Sequence, residues 1–204
     1  MSKMTNIGRI ETFKEWKGRA SGSIGKKFNY ESIKYPGCSI FTKHGLDYLP
    51  LIFETIKKHG SKLFIELGTF QGGLSLALKE HFDDITIHTF DHKNFMNEQI
   101  RNLFDDDRVT FHQEKLLGVE NEVLVHLLSF NYNIKKILYC DNGNKTFEIK
   151  TYAKYLNSGD LIGCHDWLAE VSPLAVYDAL SPFIPFNEEV WFDSMLLSRF
   201  WIKK

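Results

Sequence analysis

Acidic side chains recur along this sequence where apolar, strand-like runs come to an end. These residues are Glu66, Asp91, Glu114, Asp141 and the pair His165-Asp166. Ligands of open α/β sheets bind outside the carboxyl ends of the strands, so we expect these side chains to line one rim of a sheet. Any one of them could instead cap the helix that follows it. Their recurrence over successive strands favours a functional rim.

A glycine-rich turn follows the first of these runs and opens a helical pattern. After the apolar residues 63–67 come Gly68, Thr69, Phe70, Gln71, Gly72 and Gly73. Glycine adopts positive φ without a Cβ penalty and lets the backbone approach a ligand closely. The helix that follows offers unpaired N–H groups at its N-terminus. The pattern therefore predicts the nucleotide-binding corner of an α/β protein.

Glu66 distinguishes this turn from the dinucleotide-binding fingerprint G-x-G-x-x-G, because it stands where that fingerprint has its first glycine. A carboxylate at this point would repel a pyrophosphate, whereas a cationic ligand would tolerate it. Asp91 ends the next predicted strand, where a carboxylate accepts hydrogen bonds from ribose hydroxyls. We therefore expect a cationic nucleoside rather than a dinucleotide.

The hydrophobic pattern alternates between strand-like and helical periods. Helices are predicted at 46–59, 74–82, 98–104, 119–130, 147–156 and 174–180, and strands at 63–67, 85–90, 108–112, 136–140, 161–164, 189–192 and 196–202. This order predicts a Rossmann-like three-layer α/β sandwich around a mostly parallel, seven-stranded sheet. The last two strands follow each other without a helix, which predicts one antiparallel strand near the C-terminus and a hairpin around Asp193-Ser194.

Length and composition limit the class of protein. The chain has 204 residues, of which 43% are hydrophobic and 25% charged, and this fits one globular domain. A net charge of -1 gives no reason to expect nucleic acid or a membrane surface as a partner. The sequence shows no signal peptide, no membrane-spanning apolar run and no C-x-x-C pair among its three cysteines. We therefore predict a cytoplasmic protein, and a homo-oligomer stays open.

Residues 1–45 differ from the rest, since they are polar, rich in lysine and only weakly periodic. The composition favours a solvated N-terminal extension. The alternative is a lid over a site that receives an anionic substrate. The remaining residues, 46–204, form the predicted catalytic domain.

The run IELGTFQGG, followed by TFD, resembles motif I and the acidic second motif of the class I S-adenosylmethionine-dependent methyltransferases. The later stretch ILYCDNGNKTFEIKTYAKYLNSGDLIGCHDW resembles one branch of them, which includes the macrocin-type sugar O-methyltransferases and the cephalosporin-hydroxylase-like proteins. Catechol and caffeoyl-coenzyme A O-methyltransferases are more distant relatives. The resemblance covers about residues 49–202. It implies S-adenosylmethionine as cofactor and a hydroxyl of a small molecule (a sugar, glycoside or phenol) as the methyl acceptor.

The same resemblance implies which residues contact the cofactor. The turn would bind the methionine moiety, Asp91 the ribose, and Glu114 would lie beside the adenine. The full set of cofactor-binding candidates is Glu66, Gly68, Thr69, Phe70, Gln71, Gly72, Gly73, Asp91, Glu114 and Asp141.

The resemblance also matches Asp141 and Asp166 to carboxylates that bind Mg²⁺ in the metal-dependent branch, with His165 in the place of a third acidic ligand. Two carboxylates suit Mg²⁺ or another divalent cation, which would lower the pKa of a substrate hydroxyl. Histidine suits a transition metal better, and it could instead be a general base.

The sequence departs from the family pattern at the position of the base, because relatives often carry a histidine or lysine three residues after the first aspartate. This chain has Asn144 there, which cannot take a proton at neutral pH, and Lys145 follows it. The catalytic candidates are therefore His165, Lys145 and Asp141.

Two further hypotheses stay open. One is a nicotinamide-dependent oxidoreductase on a related fold, against which Glu66 and the absence of a suitably placed Tyr-x-x-x-Lys pair argue. The other is a catalytically inactive cofactor-binding module, which Asn144 keeps open.

Overall fold

The structure is a computed structural model and describes residues 49–130, 133–187 and 198–204. Some of the predictions lie outside the described residues. These are the extension or lid at 1–45, the strand at 189–192 and the hairpin around Asp193-Ser194.

Seven strands of the described residues form a single sheet. They are β1 (Leu63–Leu67), β2 (Thr86–Asp91), β3 (Val109–Gln113), β4 (Lys136–Cys140), β5 (Leu161–Cys164), β6 (Phe183–Phe186) and β7 (Arg199–Lys203). Their order is β3-β2-β1-β4-β5-β7-β6. The strands β1 to β5 are parallel, and β7 runs antiparallel to both of its neighbours. This confirms the predicted sheet with one antiparallel strand near the C-terminus.

Helices cover both faces of the sheet. They are α1 (Leu49–His59), α2 (Gly73–His81), α3 (Glu98–Leu103), α4 (Glu122–Ser129), α5 (Lys145–Tyr152) and α6 (Pro173–Leu180), with a short 3₁₀ helix at Ala153–Tyr155. The first three pack into one apolar core and the last three into the other. Every residue of β1 and β4 is buried, because alternate side chains enter opposite cores. Within the described ranges, no helix is long and apolar enough to cross a membrane.

The strand β6 is the main difference from the sequence-based prediction. Pro182 and Pro185 indicated only the end of a helix there, because proline has no N–H to donate to a strand ladder. Among the described residues, β6 lies at the edge of the sheet and pairs only with β7. An edge strand tolerates proline, because its outer side needs no ladder hydrogen bonds. The strand that pairs with β7 therefore lies earlier in the chain than the predicted strand at 189–192.

Backbone hydrogen bonds continue past the carboxyl ends of the central strands and bring the loops together. The amide of Gly68 donates to the carbonyl of Phe90, that of Asp141 to Leu67, and that of His165 to Cys140. These bonds fix the first residue after each strand at a common level. Of the acidic residues predicted to share a rim, those that follow the strands therefore lie at one edge of the sheet, whereas Glu66 lies within β1 and is buried.

We predict that Gly163→Ala lowers the free energy of unfolding by about 1–3 kcal/mol, as overpacking of a core does. Gly163 lies in the middle of β5, where an added Cβ would press into the ring of Phe200 and come within 3.0 Å of the Tyr139 ring. Urea denaturation measures the change. Gly143→Ala is the matched control, since the nearest side chain to its new methyl group within the described part of the chain is Leu117, at 4.0 Å. Equal losses in the two variants would contradict this account of the packing.

Candidate functional site

Gly68 brings the two halves of the rim into contact. Its φ is +102°, and a Cβ at this residue would lie 2.5 Å from the carbonyl oxygen of Asp141. The turn after β1 and the loop after β4 therefore touch through their backbones. Only glycine meets both the conformational and the steric requirement at this position.

Gly72 is needed for a different reason from the one predicted. It precedes α2 with φ +77°, and a Cβ there would meet the Phe104 ring at 2.8 Å and the Met96 sulfur at 2.9 Å. These side chains cover the glycine from the α3 side. Gly72 thus packs closely against the protein's own core. The exposed part of the turn is centred on Phe70, which is 51% exposed.

Glu66 lies beneath the glycine turn rather than on its surface. It is 2% exposed, and its Oε2 accepts hydrogen bonds from Ser75 Oγ at 2.5 Å and Thr89 Oγ1 at 2.6 Å. Burial raises the pKa of Glu66 to about 8, so the side chain is protonated at neutral pH. The expectation that its negative charge repels a pyrophosphate was therefore wrong, because that charge is absent.

Asp91 joins the end of β2 to the glycine turn. Its Oδ2 accepts a hydrogen bond from the backbone N–H of Phe70 at 2.9 Å, and its Oδ1 lies 2.8 Å from Nδ1 of His92. A carboxylate has about four acceptor positions, so Asp91 can still accept from a ligand hydroxyl. Glu114 follows at the end of the neighbouring strand, where its amide donates to the carbonyl of Asp91. The turn, Asp91 and Glu114 thus lie in succession along the rim, as predicted.

The other half of the rim is a cluster of charged side chains around Lys145. The Lys145 ammonium lies 2.7 Å from Glu170 Oε2, 3.2 Å from Asp166 Oδ2 and 3.5 Å from Asp141 Oδ1. Its side chain is only 4% exposed. His165 Nδ1 lies 3.1 Å from the same oxygen of Asp166 and 3.4 Å from the same oxygen of Asp141. The structure therefore brings together all the catalytic and metal candidates of the sequence.

The two basic residues of this cluster differ in what they can do. Burial disfavours the charged form of each side chain, but the nearby carboxylates favour that form more strongly. The hydrogen bond to Asp141 and the charges of Asp141 and Asp166 raise the pKa of His165 above 6.5. The hydrogen bond to Glu170 and the same two charges raise the pKa of Lys145 further above its already high value. Lys145 thus stays an ammonium, whereas for His165 the same carboxylates favour the protonated imidazolium.

Asn144, which stands where relatives often have a base, is a helix cap. Its side-chain oxygen accepts a hydrogen bond from the backbone N–H of Phe147 at 3.0 Å, at the N-terminus of α5. The next residue, Lys145, is the first residue of the helix, and its side chain points into the cluster.

Two acidic residues of this region were missed by the sequence analysis. Glu170 contacts Lys145 from the loop after β5, and Glu148 is fully buried on α5, where burial raises its pKa to about 8. Neither stands at the end of a strand, so the pattern that revealed the other acids could not include them. The spacing of Lys145 and Glu148, one helical turn apart, was the available signal for the second.

The loop from Asp166 to Val171 is tightly folded. Asp166 and Leu168 have φ values of +54° and +69°, which are unfavourable for residues with a Cβ. The amides of Ala169 and Glu170 both donate to the carbonyl of Asp166, at 3.0 and 2.8 Å. Strained, well-bonded loops of this kind are concentrated at functional sites.

Trp167 points away from the cluster. Its ring packs on Trp201 with centroids 4.6 Å apart and lines a groove of about 310 Å³. The groove is bounded by Trp167, Pro173, Tyr177, Leu180, Ser181, Phe183, Pro185 and Trp201. These contacts describe a packing role for Trp167.

The cluster has only part of what the predicted divalent metal requires. One potential ligand atom each from Asp141, His165 and Asp166 lies within 4.8 Å of the others, which is a suitable spacing. The Asp141 and Asp166 oxygens that face each other, however, are the oxygens that Lys145 and His165 contact. A cation between them would lie against the ammonium, so the residues do not fit a divalent metal.

Comparisons with known proteins identify the fold. No family model matches the sequence, and no curated protein matches it. Among solved structures, a methyltransferase of Podospora anserina with bound S-adenosylhomocysteine has a TM-score of 0.54 and 14% identity, over 100% of this chain and 98% of that one. A candidate caffeoyl-CoA O-methyltransferase of Staphylococcus aureus has 0.54 and 15%, over 98% and 100%. A variant of MtNAS with S-adenosylmethionine has 0.53 and 10%, over 95% and 76%. At such identities the likeness shows the fold alone.

We predict that Glu66→Gln becomes more stable relative to the wild type as the pH rises. The folded-state pKa of about 8 exceeds the ordinary 4.5, so the folded protein binds the extra proton and loses stability as the pH rises through this window. Glutamine retains the acceptor for Ser75 and Thr89 but does not ionise. We expect a relative gain of about 1–3 kcal/mol near pH 8, measured by urea denaturation. Glu98→Gln, exposed on α3, is the control, and a pH-independent difference for Glu66→Gln would refute the prediction.

Proposed function

We propose that this chain is an S-adenosylmethionine-dependent methyltransferase that methylates a hydroxyl of a small molecule such as a sugar, glycoside or phenol. The observation that carries the proposal is the contact between the two halves of the rim. The glycine turn and Asp91 form one half, and the Asp141–His165 pair forms the other, and they touch where Gly68 meets Asp141. The fold that the chain shares with proteins bound to S-adenosylhomocysteine and S-adenosylmethionine supports it.

The glycine turn and Asp91 have the features needed to bind S-adenosylmethionine, the methyl donor. Asp91 is the acceptor for the ribose hydroxyls, and the turn at residues 68–73 presents backbone to the methionine moiety. Glu66 fixes the turn from below through Thr89, whose hydroxyl also lies 2.6 Å from that of Thr69. Because Glu66 is neutral, its role here is structural and does not depend on attracting the sulfonium.

The Asp141–His165 pair has the features needed to deprotonate the hydroxyl of the methyl acceptor. S-Adenosylmethionine, when bound, supplies a methyl group on a positively charged sulfur, and this group passes to the acceptor oxygen as the carbon–sulfur bond breaks. His165 takes the proton of the acceptor hydroxyl as general base. Asp141 and Asp166 stabilise the imidazolium that results. Since Lys145 remains an ammonium, it does not compete for this role.

The proposed partners and location agree with the composition of the chain. The acceptor is a small molecule, and the near-neutral net charge of the chain favours neither nucleic acid nor a membrane surface. Cys140 and Cys164 are free thiols, in agreement with a cytoplasmic location. The macrocin-type branch, whose acceptors are sugars, remains our proposal for the subfamily.

Calorimetry with S-adenosylhomocysteine tests the donor half. We expect the wild type to bind it, and Asp91→Asn to bind at least about tenfold more weakly, because hydrogen bonds to a charged acceptor contribute about 1.5–3 kcal/mol. Asn can still accept from the Phe70 amide, so the turn is preserved. Asp107→Asn, exposed after α3, is the control. A wild-type protein that binds NADH and no S-adenosylhomocysteine would replace this proposal with the oxidoreductase hypothesis.

The pH dependence of methyl transfer tests the base. With an acceptor found by screening, we expect kcat to rise with pH up to an inflection above 6.5, because Asp141 and Asp166 favour protonated His165. Asp166→Asn should move this inflection to lower pH. His165→Gln should lower kcat by about 10²–10⁴ without changing the affinity for S-adenosylhomocysteine. His126→Gln, exposed on α4, is the control, and full activity of His165→Gln would exclude His165 as the base.

A further inference from the structure

We infer that Lys145 is the resident cation of this site and takes the position that a divalent metal has in metal-dependent relatives. The inference rests on the proposed function for the role of the site, but its test needs no turnover. The site is then complete without added metal, in contrast to the expectation from the sequence.

The contacts of Lys145 show how fully this position is filled. Its ammonium lies within 3.5 Å of oxygens from Asp141, Asp166 and Glu170, which belong to the loops after β4 and β5. One cation thus joins two loops through three carboxylates. A bound metal would link carboxylates from separate strand ends in the same way.

Displacement of Lys145 by a metal would be unfavourable. A Mg²⁺ ion lies about 2.0–2.1 Å from its oxygen ligands and needs six of them in near-octahedral geometry. The facing oxygens Asp141 Oδ1 and Asp166 Oδ2 already lie against both Lys145 and His165. A metal between them would therefore meet an ammonium that is 4% exposed, where water screens the repulsion poorly.

Glu170 contacts the Lys145 ammonium from the outer side of the cluster. Glu170 is the closest of its partners, at 2.7 Å, and the amide of Glu170 donates to the carbonyl of Asp166 at 2.8 Å. The loop that carries one carboxylate thus also carries the group that retains the lysine. Lys145 is a positioning residue, since it fixes the carboxylates that in turn orient His165.

A metal titration tests this inference. Mn²⁺ is added to the wild type and to Lys145→Ala, with binding followed by calorimetry and by the shift of the thermal transition. We expect no Mn²⁺ binding at this site of the wild type. In Lys145→Ala the three carboxylates lose their cation, and we expect the affinity for Mn²⁺ to increase by about tenfold or more, or about 1.4 kcal/mol.

Three further variants make the result decisive. Lys150→Ala removes an exposed lysine of the same helix and should behave as the wild type does. Lys145→Arg keeps the cation and should also not bind. Lys145→Gln is the second test variant, and where either neutral variant unfolds without metal, we expect Mn²⁺ to restore its thermal transition.

Two outcomes would overturn the inference. One is Mn²⁺ binding by the wild type that Asp166→Asn abolishes, because the site would then accept a metal beside Lys145. The other is the absence of any Mn²⁺ effect on both Lys145→Ala and Lys145→Gln. Either outcome is independent of S-adenosylhomocysteine binding, which tests the proposed function separately.

Discussion

The rim of this protein depends on the close approach of two backbones, at Gly68 and Asp141. Parallel strands β1 and β4 are neighbours at the centre of the sheet, and their loops leave the sheet side by side. A side chain at Gly68 would separate them, since its Cβ would lie 2.5 Å from the Asp141 carbonyl oxygen. The glycine that the turn needs for a positive φ thus also allows the turn after β1 to lie against the loop after β4.

The acidic residues of the rim belong to two physical classes, although the sequence presents them alike. Glu66 is buried, and its pKa is raised to about 8, so it contributes shape and hydrogen bonds rather than charge. Asp141 and Asp166 contact Lys145 and His165, and their charges determine how those two bases behave. Residue type and position at a strand end do not distinguish the classes, because the difference lies in the depth of each side chain.

The sequence predicted the fold and most members of the site because both follow from local patterns. Apolar runs that end in acids predicted β1 to β5 and their shared rim, and periodicity predicted the helices between them. The strand β6 was missed, because its Pro185 contradicts the local signal and only its position at the sheet edge makes it acceptable. Glu170 was missed, because its contact with Lys145 depends on the folding of the Asp166 loop, which no spacing rule describes.

The position of Lys145 explains why, under the proposed function, the candidate base is His165 after β5 rather than a residue of α5. Asn144 caps the helix, so Lys145 becomes its first residue, where the positive end of the helix dipole disfavours a cation. Its burial there, at 4% exposure, adds a desolvation cost, and both effects must be offset by nearby negative charge. Asp141, Asp166 and Glu170 supply that charge, and the same charge prevents Lys145 from losing its proton. Under the proposed function, proton transfer is therefore assigned to His165, the other basic side chain that contacts Asp141 and Asp166.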